Sequence, residues 1–277
     1  MKRGSQVSKD IGSILRSWPS SDEGVDARVV VGTDGQPQLQ LRLDCGLLQM
    51  VIDGRPDATK PHNCQTYLEY VTRRVAEVKA EDPSRGVPRK AWAELDREMT
   101  QFYHRRVGML AVARRAQDGG ESSTAASYYE RAVRDADYTL EAMDFIRDHC
   151  DDEDHVENHE RYRPFVLWHR TIALTQRRVL DKDFDEAVEQ IKSGMGQIAK
   201  VYEDHGLTKW LRHDPSIAEL RMLERQIRRQ YGVKQTLSEQ LEVAIAAEDY
   251  ENAARIRDQL KAKGRFRSPR GAASARF

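Results

Sequence analysis

The sequence predicts a mainly α protein: an N-terminal three-stranded antiparallel β-meander packed on an array of helical hairpins, with one more hairpin at the C-terminal end. Three observations carry this. Charged residues make up 32% of the 277-residue chain and aromatics only 7%, a balance that suits long amphipathic helices with salt-bridged outer faces. Apolar residues alternate with polar ones only near the N-terminal end, where Leu39, Leu41 and Leu43 share one face and Gln40 and Arg42 the other. From Lys90 onward every apolar series steps by three or four residues, which is helical spacing.

Each element follows in order. Residues 1–26 are polar, with Ser20-Ser21-Asp22-Glu23-Gly24 in one run, and are expected to be loosely ordered. Residues 27–82 form the β module. Val29–Val31, Gln38–Asp44 and Leu47–Ile52 are its strands, and the glycines and prolines at 32–37 and 53–56 are its turns. Three strands cannot cover their own leucine face, so a helix must, and His62–Lys79 is the nearest candidate, with Tyr67, Leu68, Val71, Val75 and Val78 on one side. Residues 89–232 are the helical body, with helices at about 90–117, 121–149, 161–181, 184–205 and 215–231. Gly119-Gly120, Gly206 and Gly232 stand where left-handed C-terminal caps belong, and Asp214-Pro215 supplies an N-cap and a first-turn proline. The short connections make adjacent helices antiparallel neighbours.

Two hairpins carry small residues at a spacing similar to the second helix of a tetratricopeptide repeat: Ala125, Tyr129 and Ala132, and Ala187, Ile191 and Gly194 behind Phe184. A degenerate repeat and an unrelated bundle both fit this spacing, because close helix packing selects Ala and Gly in either.

Composition excludes several classes of function. Forty-five basic side chains cancel forty-five acidic ones, so no overall positive field draws the chain to nucleic acid. Cys45, Cys64 and Cys150 are too scattered for a zinc ribbon or a disulfide framework, which favours a reducing compartment. With neither a secretory signal nor a membrane-spanning run, the expected location is cytoplasmic.

The final helical pair, residues 236–263, is the most informative stretch. Thr236 and Glu239 form a capping box, and Leu237, Leu241, Ala244 and Ile245 then line one side of a helix. Asp249 is an N-cap for a second helix, whose Tyr250, Ala253, Ile256 and Leu260 line one face, with Glu251 and Arg255 paired outside. The ring of Tyr250 is expected to close the corner over Leu241 and Ile245. Two helices of this length bury little alone, so the hairpin needs to dock on its own chain, a second copy or a partner.

Leu237, Leu241, Ala244, Ile245, Glu248, Tyr250, Ala253, Ala254, Arg255, Arg257, Asp258 and Leu260 closely resemble the UVR motif. Similar hairpins pair with one another in UvrB and UvrC, the helicase and nuclease subunits of bacterial nucleotide excision repair. They also occur in Clp-type chaperone ATPases and in the activator of a protein-arginine kinase. Leu39–Pro56 likewise looks like the front of bacterial UVR-motif proteins. The resemblance implies a non-enzymatic interaction or adaptor protein of bacterial type, whose hairpin binds a UVR-bearing repair or chaperone protein, or itself. Leu237, Leu241, Ala244, Ile245, Tyr250, Ala253, Ala254, Ile256, Arg257 and Leu260 would form the interface. It does not carry over an ATPase or a metal-binding activator function, because the chain has neither a G-x-x-x-x-G-K-[ST] loop nor paired cysteines.

The remaining signals are weaker. His149-Cys150 through His155, His159 and Glu160 gathers metal-ligand residue types, but its charge reads as a solvated loop between helices, and no metal, cofactor or catalytic residue is assigned. Trp92, Phe102, Tyr103, Trp168 and Trp210 read as core. The basic tail, 264–277, with Arg265, Arg267 and Arg270, is expected to be disordered and supports an alternative role as a nucleic-acid-associated accessory factor of DNA repair.

Overall fold

The structure is a computed structural model of the chain and describes residues 10–20, 24–82 and 86–262. Arg265, Arg267 and Arg270 lie outside the described residues.

Strands β1 (Ala27–Val31), β2 (Pro37–Leu43) and β3 (Gly46–Val51) form an antiparallel meander in the order β1-β2-β3, with Val29 opposite Leu39 and Leu39 opposite Met50. Ala27, Leu39, Leu41 and Met50 are buried on the inner face. Leu43 is exposed instead, because it pairs with Gly46 at the tight β2–β3 turn, beyond the reach of the helices. The other face is covered as well. Gln40 accepts from Arg28 (2.9 Å) and donates to Gln49 (2.8 Å), and the Arg28 guanidinium lies over the Trp18 ring. Trp18 follows a short helix, α1 (Gly12–Ser17), and its carbonyl accepts from Arg42 (2.7 Å). Trp18 is therefore fixed against the sheet within a segment whose polarity suggested a loose tail, while α1 itself buries no residue.

The leucine face does not pack on the next helix in sequence. Helix α2 (Tyr67–Glu81) buries Leu68 and Val71 against Trp92, Leu95 and Met99 instead. It starts at Tyr67 rather than at His62 because Pro61–Asn63 form a 3-10 turn with His62 and Asn63 at positive φ. The sheet is covered by α3 (Arg89–Asp118), whose thirty residues span about 45 Å and so carry α2 at one end and the meander at the other. Gly108 allows this close approach, since a Cβ there would stand 3.0 Å from Leu39 Cδ2. One apolar cluster then runs from Leu39 and Met50 through Met109 and Ala113 to Tyr129 and Ala173.

The rest of the body is α4 (Ser122–His149), α5 (Glu153–Glu160), α6 (Arg163–Leu180), α7 (Phe184–Asp204) and α8 (Pro215–Tyr231), within about two residues of the boundaries read from the sequence except for α5. Residues 153–160 are a helix rather than a loop, because Asp152 accepts from His155 N (3.2 Å) and caps it. The small-residue faces do make close contacts. Ala125, Tyr129 and Ala132 are buried, and a Cβ on Gly194 would fall within 2.0 Å of Thr171 Oγ1. Gly120, Gly206 and Gly232 have positive φ at helix ends, and Asp214 caps α8 by accepting from Ser216 N (2.6 Å). Trp92 and Phe102 are core, but Trp210 sits in a 3-10 turn with 55% of its surface exposed, and Tyr103 is also exposed.

Buried charges join the layers. Arg105, with none of its surface exposed, grips Asp135 of α4 through two bonds (2.7 and 2.8 Å) and donates to the carbonyls of Val51 (3.1 Å), the last residue of β3, and Gly54 (2.7 Å) in the turn beyond it. Glu98 accepts from the N–H groups of Tyr67 (2.6 Å) and Leu68 (3.1 Å), so α3 supplies the first-turn acceptor that α2 needs. Burial, with Arg106 beside it, pushes His169 down to about 3. The imidazole is therefore neutral, and Nδ1 accepts from Arg106 Nε (3.3 Å).

Candidate interaction hairpin

Helices α9 (Leu237–Ala246) and α10 (Tyr250–Ala262) form the expected hairpin. The capping box is present: Thr236 Oγ1 accepts from Glu239 N (3.2 Å), and Thr236 N donates to Glu239 Oε2 (2.9 Å). At the corner Glu248 adopts a left-handed φ of 56°, Asp249 N donates to Ala244 O and Glu248 N to Ile245 O, which is the Schellman arrangement. Asp249 then caps α10 by accepting from Asn252 N (3.1 Å).

The hairpin has its own small core. Ala244, Ala253, Ile256 and Leu260 are buried, with Leu237 and Leu241 packed against them, and this cluster is separate from those of the body. Its join to the body is polar. Glu239 takes Arg228 of α8 (2.6 Å) and Lys192 of α7 (3.3 Å), while the Thr236 hydroxyl donates to Glu189 of α7. Desolvation alone would raise the Glu239 pKa, but the hydrogen bonds from Arg228 and Thr236 N and the nearby Lys192 charge overcome it and hold the carboxyl at about 2.

The ten expected interface residues therefore fall into two sets. Ala244, Ala253, Ile256 and Leu260 are enclosed between α9 and α10, and Leu237, Leu241 and Ala254 are half-buried. Ile245 and Tyr250 face outward at 54% and 69% exposure, and Arg257 is also exposed, beside Asp258 at 3.7 Å. The Tyr250 ring does not close the corner over Leu241 and Ile245. Because α9 ends at Ala246, the left-handed turn at Glu248 starts α10 with Tyr250 outside the helix contact. Arg255 also departs from expectation, donating to Asn252 Oδ1 (2.8 Å) rather than pairing with Glu251.

The sequence did not single out Val243, which is 55% exposed, or the anchors Glu189, Lys192 and Arg228. Val243 carried a signal as an apolar residue off the i, i+4 stripe. The anchors carried none, since nothing local distinguishes them from other surface charges.

The chain is, as a class, a mainly helical protein with an N-terminal antiparallel meander and a C-terminal two-helix hairpin. A family model described as the UvrB/uvrC motif matches residues 233–264, so this hairpin is a UVR motif. Comparison with curated proteins and comparison with solved structures each return no match. Among the described residues no helix is long and apolar enough to cross a membrane.

Proposed function

We propose that this chain is a non-enzymatic adaptor, in which the helical body holds out the UVR hairpin for pairing with a UVR-bearing protein or with a second copy of itself. The carrying observation is the outward placement of Val243, Ile245 and Tyr250 on a hairpin whose own core is already filled. Exposed apolar side chains on either side of the hairpin gain by being covered, and a second two-helix unit packed against one of these sides makes a four-helix bundle. The polar anchor at Glu239 ties the hairpin to α7 and α8, and Val243, Ile245 and Tyr250 stay exposed.

The test compares the full chain with an Ile245→Asp, Tyr250→Ser variant by sedimentation and by affinity capture from the native cell. The variant is expected to keep the helical content and melting temperature of the body while losing self-association or its captured partner. Unchanged association in the variant would overturn the adaptor reading.

A further inference from the structure

The segment that reads as a charged loop does something else once folded. Helix α5 sets His155 and His159 one turn apart on one face, with ring centroids 4.7 Å apart. Across from them α3 brings up Asp96. Its Oδ1 lies 2.9 Å from His159 Nε2 and 3.5 Å from His155 Nε2, and the three ligand atoms all fall within 4.8 Å of one another.

A simple ion-pair triad accounts poorly for this geometry. His159 makes a hydrogen bond to Asp96, but His155 Nε2 is shut off from solvent and makes none, its 3.5 Å contact having the wrong geometry. A buried ring nitrogen without a partner is costly, and the atom it faces is already engaged. An ion between the three groups removes the problem. Zinc-type bonds of about 2.0–2.2 Å to imidazole nitrogen and carboxylate oxygen put tetrahedral ligand atoms about 3.3 Å apart, and the two Asp96–His separations bracket that value.

The surroundings are acidic on balance. Asp96 and His155 line a cleft of about 440 Å³ together with Asp151 and Asp152, so three carboxylates face it against the one guanidinium of Arg89. The scaffold is rigid, because α5 is capped by Asp152 at one end and held at the other by the buried Glu160–Arg163 pair (2.6 and 2.7 Å), while Trp92 packs near the His155 ring.

We infer that Asp96, His155 and His159 bind one divalent ion of the zinc class, with a remaining coordination position within reach of a small ligand in the cleft. Two imidazoles and a carboxylate are a borderline donor set that prefers Zn²⁺, Co²⁺ or Fe²⁺ to Ca²⁺ or Mg²⁺. The site stands apart from the hairpin and does not depend on the adaptor reading.

The test uses the untagged full chain, stripped with a chelator and titrated with Co²⁺. Visible d–d absorption should saturate at one equivalent and vanish when Zn²⁺ is added, and Zn²⁺ should raise the melting temperature. His159→Gln and Asp96→Asn should each weaken Co²⁺ binding at least about tenfold, with circular dichroism confirming the fold. X-ray absorption of the wild-type zinc form should show two imidazoles in a nitrogen and oxygen shell, which tests the site without any variant. A wild-type chain without a saturable Co²⁺ spectrum, a spectrum unchanged in both variants, or a shell without imidazole would overturn the assignment and leave an ion pair only.

Discussion

Arg105 and Glu239 both join two parts of this chain through charge, and they do it in opposite ways. Arg105 is fully buried, its donors divided between Asp135 and the carbonyls of Val51 and Gly54, and the meander and three helices share one apolar cluster. Glu239 is half-buried between α7, α8 and α9, and behind it the hairpin keeps a core of its own. Body and hairpin are built from the same amphipathic helices and both leave apolar side chains outside, Met222 and Trp210 on the body and Val243, Ile245 and Tyr250 on the hairpin, but the buried core of the hairpin is limited to four residues. The difference teaches that a fully buried ion pair locks layers into one core, whereas a half-buried one ties together two parts that keep separate cores.

That contrast can be broken at several points, from the largest effect to the smallest. Arg105→Ala removes the two short bonds to Asp135, leaving that buried side chain only the longer contacts from Arg134 (3.3 Å), and is expected to cost up to about 3–5 kcal/mol and to lower the melting temperature of the whole body. A mild effect would mean that the remaining contacts of the meander, among them Arg115 to the Ala27 carbonyl (2.8 Å) and Arg134 to the Ile52 carbonyl (2.8 Å), hold it without Arg105. Ile256→Ala empties the centre of the hairpin core and should cost about 2–4 kcal/mol locally. Amide exchange should quicken in α9 and α10 and stay slow in α3 and α4. If both slow down or speed up together, hairpin and body form one cooperative unit.

Acid separates the regions more gently. The Glu239 pKa is depressed to about 2 from the usual 4.5, so its contribution is fully present above about pH 4.5 and is lost as the pH falls towards 2. Exchange in the hairpin should rise through that window, and Glu239→Gln, which cannot hold Arg228 and Lys192 as an ion pair, should flatten the dependence. The smallest effect on stability belongs to Tyr250→Ala. An exposed ring contributes little, so the change should stay within about 0.5 kcal/mol in a thermal melt while association falls. A loss of several kcal/mol would return Tyr250 to the packed corner that its sequence position suggested.

Much of the fold was legible because its signals are local. The capping box at Thr236, the cap at Asp214 and the glycine at 232 act within one helical turn, and the helices began or ended there. The hairpin was legible for the same reason, since Leu241, Ala244, Ala253, Ile256 and Leu260 repeat at helical spacing and meet in one core. Tyr250 and Ile245 were misplaced because periodicity gives a residue's angle around its helix, but not how the second helix is set down after a left-handed turn at Glu248.

By itself, then, the sequence determined the mainly helical class, the meander, nearly every helix of the body, and the presence and identity of the UVR hairpin, all of which follow from residues within a few positions of one another. Tertiary structure alone decided which helix covers the leucine face, which side chains the hairpin leaves outside, and that Asp96 meets His155 and His159. These are relations between residues far apart in the chain. They are set by where long helices cross and how deeply side chains are enclosed, as when Gly108 lets Leu39 approach α3, and no local pattern encodes them.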